Sequence, residues 1–311
     1  MNSQEVTELR DQHYNATVVS IRKANPDLWI FRIKPDFPIP DHKPGQYTTL
    51  GMGTWEPRAP GCQEEKPQDP NKPKLIRRAY SISCSVLDDQ GNLLPNAKSD
   101  HLEYYIVLVR DSGRGGEAPA LTPRLFLLEE GDRVFLGEKI TGHYHLDEAK
   151  PEQNFVFLAT GTGEAPHNYM VWELLNAGHP GKIVSVCCVR YLRDLGYLEM
   201  HEKLAEKYPN YSYIWLTTRE AAQKNNKKYI QDYILSGMLE EKMGSQLTPE
   251  TSEVFLCGNP KMIGVPETDK KTKTRTYPTP QGVIEILEGR GFQLDDPRAK
   301  IKGNIHIEEY W

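Results

Sequence analysis

Three short segments carry residue types that could hold or move charge. Gly161-Thr162-Gly163-Glu164-Ala165-Pro166 follows the apolar run Asn154–Thr160 and precedes a helical stretch. Glycines at a strand-to-helix turn let backbone N–H groups approach a pyrophosphate, and the helix N-terminus favours its charge. A Gly-rich turn of this kind also serves packing alone, so GxGxxP leaves both readings open. Cys257 opens CGNPKM at the end of a later apolar run. There it either faces the crevice at the carboxyl edge of a parallel sheet or is a small buried side chain. Arg78-Ala79-Tyr80-Ser81 combines a charged fork for phosphate, a ring face and a hydroxyl. A plain strand with alternating polar and aromatic residues reads the same.

These segments sit in two regions of different grammar. In the first, Ala16–Ala24, Leu28–Pro35, Tyr47–Met52, Arg78–Val86, Leu102–Arg110 and Asp132–Lys139 are short β-branched or aromatic runs punctuated by Pro, Asp and Gly. Six such runs predict an antiparallel barrel or sandwich. One helix is expected over Thr122–Asp132, where Thr-Pro supplies a cap and a first-turn proline. From Asn154 near-continuously apolar runs (Asn154–Thr160, Lys182–Arg190, Tyr211–Thr218 and Glu253–Gly258) alternate with helical stretches (His167–Gly178, Tyr197–Lys207 and one near Lys228–Met238). That alternation predicts a parallel α/β sheet. The boundary is expected within His145–Gln153, giving domains 1–150 and 151–311. Residues 54–74 and 266–280 look like inserted loops, read as solvated, mobile surface or as partner contacts.

The chain has 311 residues, enough for two domains at roughly 150 each. A net charge of −5 excludes a generally basic nucleic-acid coat. No apolar run reaches the roughly 18 residues of a membrane span, and MNSQEVTELRDQHYN lacks the basic-then-apolar order of a secretion signal. Five cysteines show no CxxC spacing, and His143 and His145 have no third ligand beside them, so no metal is expected. A cytoplasmic, monomeric protein without membrane insertion is the expectation.

Taken in order, RAYS, GTGEAP and CGNPKM resemble the signatures of the ferredoxin–NADP reductase family. Pro44–Tyr47, Leu121–Leu125, Val189–Leu198, Thr217–Glu220 and the terminal EEYW (Glu308–Trp311) resemble its bacterial ferredoxin/flavodoxin type. The resemblance covers nearly the whole chain apart from the two insertions. It implies an N-terminal antiparallel β-barrel binding FAD, then an α/β parallel-sheet domain binding NADP. Arg78 and Thr122 would contact the flavin diphosphate. Tyr80 would pack on the isoalloxazine, with Ala79 between them, and Ser81 would lie near the hydride-exchanging nitrogen. Gly161, Thr162 and Gly163 would cradle the dinucleotide, and Cys257 and Glu308 would flank the reacting nicotinamide; Ser81, Cys257 and Glu308 thus form the catalytic set. Tyr310 and Trp311 would cover the flavin or its adenine. The implied reaction is hydride exchange between nicotinamide and FAD, with a separate one-electron carrier, ferredoxin or flavodoxin, as partner.

The choice between NADP and NAD turns on positive charge, because a 2′-phosphate needs Arg or Lys. Arg190 and Arg219 end two successive strands, where members of this family bind that phosphate. A further Arg of the relatives is replaced by Lys227-Lys228, which keeps charge but not the bidentate fork. Glu164 places a carboxylate beside the expected diphosphate, or stabilises the helix N-terminus instead. Two other readings remain: an NADH-preferring reductase serving a cytochrome or oxygenase component, and a non-catalytic flavin or nucleotide sensor. Lys66, Lys72, Lys74, Arg77 and Arg78, and Lys270, Lys271, Lys273 and Arg275, are candidate docking cations for an acidic carrier.

Overall fold

In the first half β6 alternates buried and half-buried residues, whereas β2 and β5 are buried over nearly their whole length. β1 (Ala16–Asn25), β2 (Leu28–Pro35), β3 (Tyr47–Gly53), β4 (Leu75–Ser81), β5 (Leu102–Val107) and β6 (Arg133–Leu136) pair in the order β4-β3-β6-β1-β2-β5, every pair antiparallel. Just beyond β4 the Ser83 amide donates to the Glu103 carbonyl on β5 at 2.8 Å. That bond joins the two ends of the sheet into a barrel. Val18, Phe31, Ile33, Leu50, Tyr104 and Leu136 are among its fully buried side chains.

This computed structural model describes residues 1–310 other than 70, 96–99, 114, 148, 224, 225, 270, 273 and 297–300. Chain contacts separate two units, Met1–Ser85 with Asn96–His145, and Val86–Pro95 with Leu146–Trp311. The short excursion Val86–Pro95 thus belongs with the second unit, where Trp172 Nε1 donates to the Leu94 carbonyl at 2.9 Å.

Ahead of the barrel, α1 (Ser3–His13) is a helix that apolar periodicity could not announce, because none of its residues is buried. Its start is written instead in a capping box. The Asn2 side chain accepts the Glu5 amide, and the Glu5 carboxylate accepts the Asn2 amide. Glu56 then fixes the helix to the barrel by accepting from Arg10 Nε and Nη2 and from the Tyr14 hydroxyl. The helix expected over Thr122–Asp132 is only α2 (Thr122–Leu125). The chain tightens to i→i−3 bonds at Leu127 and Leu128, while Phe126 stacks on Trp29 with ring centroids 4.5 Å apart.

In the second unit, β7 (Asn154–Thr160), β8 (Ile183–Val189), β9 (Tyr211–Thr217), β10 (Ser252–Gly258) and β13 (Ile305–Glu309) form a wholly parallel sheet in the order β13-β10-β7-β8-β9. All seven residues of β8 are buried, as a strand covered on both faces requires. Its helices are α3 (Glu164–Asn176), α4 (Leu198–Lys207), α5 (Ile230–Leu235), α6 (Met238–Met243), α7 (Pro260–Ile263) and α8 (Val283–Glu288). The single helix expected near Lys228–Met238 is two, because Gly237 adopts a left-handed φ of 74° between α5 and α6. Val156, Val184, Cys188 and Leu256 pack with α5, α6 and α8, while Cys187 packs with Ala159, Val189 and Leu195. Adjacent cysteines therefore serve opposite faces.

The second insertion carries a small hairpin, β11 (Glu267–Thr268) with β12 (Arg275–Thr276). Glu288 on α8 holds it, accepting from Arg275 Nη1 and from the Tyr277 hydroxyl, both at 2.5 Å. Lys270 and Lys273 of the expected docking cluster lie outside the described residues.

Candidate functional site

Sheet order places a topological switch beside β7: the chain goes to β8 and β9 on one side and to β10 and β13 on the other. Ligands of open parallel sheets bind at the carboxyl edge of such a point. The loop leaving β7 there is a 3₁₀ turn, Gly161–Gly163, running directly into α3. Gly161 has a left-handed φ of 55°, and a Cβ built on it would meet nothing within 4 Å. Gly163 is the opposite case. A Cβ there would lie 2.3 Å from the Cys257 carbonyl oxygen, so only glycine lets the turn seat on β10. Gly258, at φ 124°, makes the reciprocal approach to Thr160, whose hydroxyl accepts the Asn259 amide at 2.7 Å. One glycine thus opens backbone to the outside, and two others lock the neighbouring loops together.

Thr162 occupies the middle of that turn and is half-buried. Parallel register then pairs Cys257 with Glu308, and the Tyr310 amide donates to the Gly258 carbonyl at 2.9 Å. Cys257, Glu308 and Tyr310 therefore converge beside the glycine turn. Burial, reinforced by Glu308, holds the Cys257 thiol well above its ordinary range, so it is a protonated wall and not a nucleophile. Burial also pushes the Glu308 carboxyl up to about 7. Trp311 lies outside the described residues.

Farther along the same edge, Arg190 follows β8 and Arg219 follows β9, and the Arg219 amide donates to the Arg190 carbonyl at 2.8 Å. Both side chains stand at the surface. Glu220 does not compete for the same space, because its carboxylate accepts the Leu192 amide at 2.7 Å and ties the two loops together. The lysines that follow are occupied differently. Lys228 Nζ lies 3.0 Å from Met238 Sδ, and Lys227 sits over the Tyr229 ring.

Glu164 is not beside an open diphosphate position. Its side chain is 3% exposed and turned inward, accepting the Tyr213 hydroxyl at 2.6 Å with His201 Nε2 at 3.3 Å. The Tyr211 hydroxyl lies 2.7 Å from His201 Nδ1, so α3, α4 and β9 share one buried polar cluster beneath the turn. His167, also buried, has its imidazole pushed down to about 3 by burial and by His201, and stays neutral. No local sequence signal announces this cluster, because its members are 10 to 49 residues apart.

In the first unit, Arg78, Ala79, Tyr80 and Ser81 end β4, facing Leu50, Thr49, Thr48 and Tyr47 on β3. Arg78 and Ala79 are exposed, Tyr80 is half-buried and Ser81 is buried. Arg78 Nη1 spends one donor on the carbonyl of Arg77, leaving the rest of its fork outward. Thr122, at the head of α2, accepts the Val109 amide at 3.1 Å. The structure thus sorts the expected residues into two groups: Arg78–Ser81 and Thr122 in the first unit, and the two glycines with Thr162, Cys257, Glu308, Tyr310, Arg190 and Arg219 in the second.

Residues 157–267 match the family model described as an oxidoreductase NAD-binding domain. Over 301 residues the chain is 29% identical to a flavodoxin/ferredoxin–NADP reductase of Buchnera aphidicola subsp. Schizaphis graminum, covering 96% of this chain and 98% of the relative. Identity is also 29% over 235 residues with the flavodoxin/ferredoxin–NADP reductase of Escherichia coli strain K12, covering 75% and 81%. Among solved structures, a ferredoxin NADP+ reductase from Neisseria gonorrhoeae with bound FAD and NADP superposes with a TM-score of 0.65 at 22% identity, covering 95% and 97%. That likeness carries the fold, and the end-to-end sequence alignment carries the kinship. Over nearly its whole length the chain is similar to flavodoxin/ferredoxin–NADP reductases.

Proposed function

We propose that this chain is an FAD-dependent oxidoreductase that passes electrons between NADP(H) and a separate one-electron carrier, ferredoxin or flavodoxin. The observation that carries the reading is the glycine-built edge of the parallel sheet. Gly161 opens its backbone outward while Gly163 and Gly258 seat the turn against β10, beside Cys257, Glu308 and Tyr310. These residues fit a dinucleotide, because Gly161 leaves its backbone open, with nothing within 4 Å of a Cβ built on it, while Gly163 seats the turn on β10.

FAD, when bound, supplies the conversion between a two-electron hydride and single electrons. The chain's own residues do the rest. The turn Gly161–Gly163 offers amides to the dinucleotide diphosphate, and Arg190 and Arg219 offer charge to a 2′-phosphate. Cys257 walls the nicotinamide position without reacting, and Glu308 holds a proton there below about pH 7. Arg78 and Thr122 would hold the flavin diphosphate, Tyr80 with Ala79 beside it would pack on the ring system, and Ser81 would lie near the exchanging nitrogen. Residues 1–150 are read as the flavin domain and 151–311 as the nucleotide domain with its aromatic end, Tyr310 and Trp311. Exposed Lys66, Lys72, Lys74 and Arg77 are the cations offered to an acidic carrier.

Among the described residues no helix is long and apolar enough to cross a membrane, and all five cysteines are free. Free cysteines suit a reducing compartment, so the cytoplasm is the reading offered for its location.

The test is the visible spectrum of the purified protein, followed by anaerobic titration with NADPH and, separately, NADH. Flavin bands bleached far more readily by NADPH are expected. A second reading, an NADH-preferring reductase for a cytochrome or oxygenase component, is favoured by one observation: Lys227 and Lys228 are turned to Tyr229 and Met238. Equal or better bleaching by NADH would select it. A protein that stays colourless after incubation with FAD overturns both.

A further inference from the structure

The first insertion is two different things in its two halves. From Lys66 to Lys74 the described residues are exposed. Residues 54–65 are instead bonded to the segment between Val109 and Leu125, on both sides of its bend. Glu65 takes Arg124 as a bidentate pair, Oε1 from Nη1 at 2.9 Å and Oε2 from Nη2 at 2.8 Å, and Arg124 is 2% exposed. Arg58 stands behind, with Nε 3.8 Å from the same carboxylate, and donates through Nη2 to the Pro119 carbonyl at 2.9 Å. The Ala59 amide donates to the Pro123 carbonyl at 2.8 Å.

On the other side of the bend, the Gln63 amide donates to the Arg110 carbonyl at 2.7 Å. Its side-chain oxygen accepts the Ser112 amide and hydroxyl, and its nitrogen donates to the Gly116 carbonyl. Inside this two-sided grip lies Thr122. Its hydroxyl oxygen is fixed by the Val109 amide, which leaves its proton to an outside acceptor. Burial alone would raise Glu65, yet Arg124 and Arg58 draw its carboxyl below the ordinary range, so it is ionised at neutral pH. Removing that charge leaves Arg124 buried without its counter-ion, and the turn that carries Thr122 must then move.

We propose that residues 54–65 are a built-in brace for the Val109–Leu125 segment, and that Glu65 acts through Arg124 as a positioning residue for the Thr122 hydroxyl. This rests on the reading that the hydroxyl meets the FAD diphosphate. The first insertion is therefore part of flavin retention, and only its second half is free for a partner.

Glu65→Gln keeps the shape and removes the charge. Two quantities separate positioning from mere folding: amide exchange across residues 109–122 in the whole protein, and the ratio of FAD to riboflavin affinity. Riboflavin has no phosphate, so a displaced Thr122 cannot weaken it. In Glu65→Gln, exchange at Val109 should accelerate and FAD affinity should fall about tenfold, as for a lost charge-assisted hydrogen bond. Riboflavin affinity should hold, and Glu65→Asp should recover part of the loss. FAD affinity within twofold of the parent, or FAD and riboflavin weakened alike, overturns the proposal. If Glu65→Gln does not fold, Gln63→Ala decides by the same ratio, with a smaller shift in the same direction. A parent protein that binds no FAD removes the functional reading itself, and the exchange comparison still decides whether the brace exists.

Discussion

The two candidate edges are built from different materials. At the carboxyl edge of the parallel sheet the contact surface is backbone, exposed by Gly161 and held in place by Gly163 and Gly258. On β4 and α2 it is side chains, Arg78, Tyr80, Ser81 and Thr122, displayed by an ordinary antiparallel strand and a short turn. A backbone edge fails when an atom is added; a side-chain edge fails when atoms are removed. Stability should accordingly be coupled to function at the first edge and separable from it at the second.

Gly163→Ala is the strongest way to break that contrast. The added Cβ would lie 2.3 Å from the Cys257 carbonyl oxygen and 2.6 Å from its carbon, and neither is a flexible side-chain end. Overpacking of this kind costs about 1–3 kcal/mol. Bleaching of the flavin by NADPH should become slower by about 100-fold as the cradle opens, by analogy with the cost of a small misplacement in a catalytic site. The flavin itself should stay bound, since its residues lie in the other unit. Gly161→Ala sharpens the point. Its Cβ has room but its φ of 55° is left-handed, so roughly 1–2 kcal/mol of strain is expected without the backbone collision. Thermal melts and NADPH titrations of both variants check this order.

The backbone edge also depends on a brace at the far end of its last strand. His306 on β13 is held by Asp295 at Nδ1 (2.5 Å) and Glu253 at Nε2 (2.9 Å), stacked on Phe255. Burial opposes its charge, but the bonds to the two carboxylates win and raise it to about 9. A raised histidine contributes stability that is complete below its unfolded pKa of 6.5 and is lost as pH rises through about 9. The shift corresponds to about 3 kcal/mol. Melting temperature should therefore fall between pH 6.5 and 9, and His306→Gln should be less stable and flat across that window.

Arg78→Ala tests the side-chain edge. Its side chain is exposed, so stability should change by less than about 0.5 kcal/mol. FAD affinity should fall by roughly 10–100-fold if the guanidinium meets a phosphate. A melt that drops in step with flavin loss would mean that β4 is merely structural and that the two edges do not differ as argued.

How much of this was written locally explains which residues were found. The strands and the α/β alternation were legible because apolar period and run length are local, and GTGEAP and CGNPKM because a tight approach demands glycine at fixed places. The helix α1 was not read from the sequence, because an exposed helix leaves no apolar stripe beside its cap. Glu65 with Arg124, Glu56 with Arg10, and Glu164 with Tyr213 and His201 pair across 37 to 59 residues, and nothing in their neighbourhoods distinguishes them from surface charges. Residues 54–74 accordingly looked like a solvated loop, although Glu65, Gln63, Arg58 and the Ala59 amide fix its first half. The second insertion looked similar and is held chiefly through Glu288.

A second pH effect concerns Glu308, where the backbone edge carries a titrating side chain beside Cys257. With burial lifting it to about 7, the folded protein keeps a proton that the unfolded chain releases near 4.5. The sign is therefore fixed: stability falls as pH rises from 4.5 to about 7, a window that only meets the foot of the one in which His306 acts. Glu308→Gln should remove the lower decline and leave the upper one intact. The same variant should flatten the pH dependence of NADPH-driven bleaching between about 6 and 8, because Cys257 stays protonated throughout and cannot replace it. If the bleaching profile keeps its shape in Glu308→Gln, the titrating group lies elsewhere, and this edge acts on the dinucleotide through backbone alone.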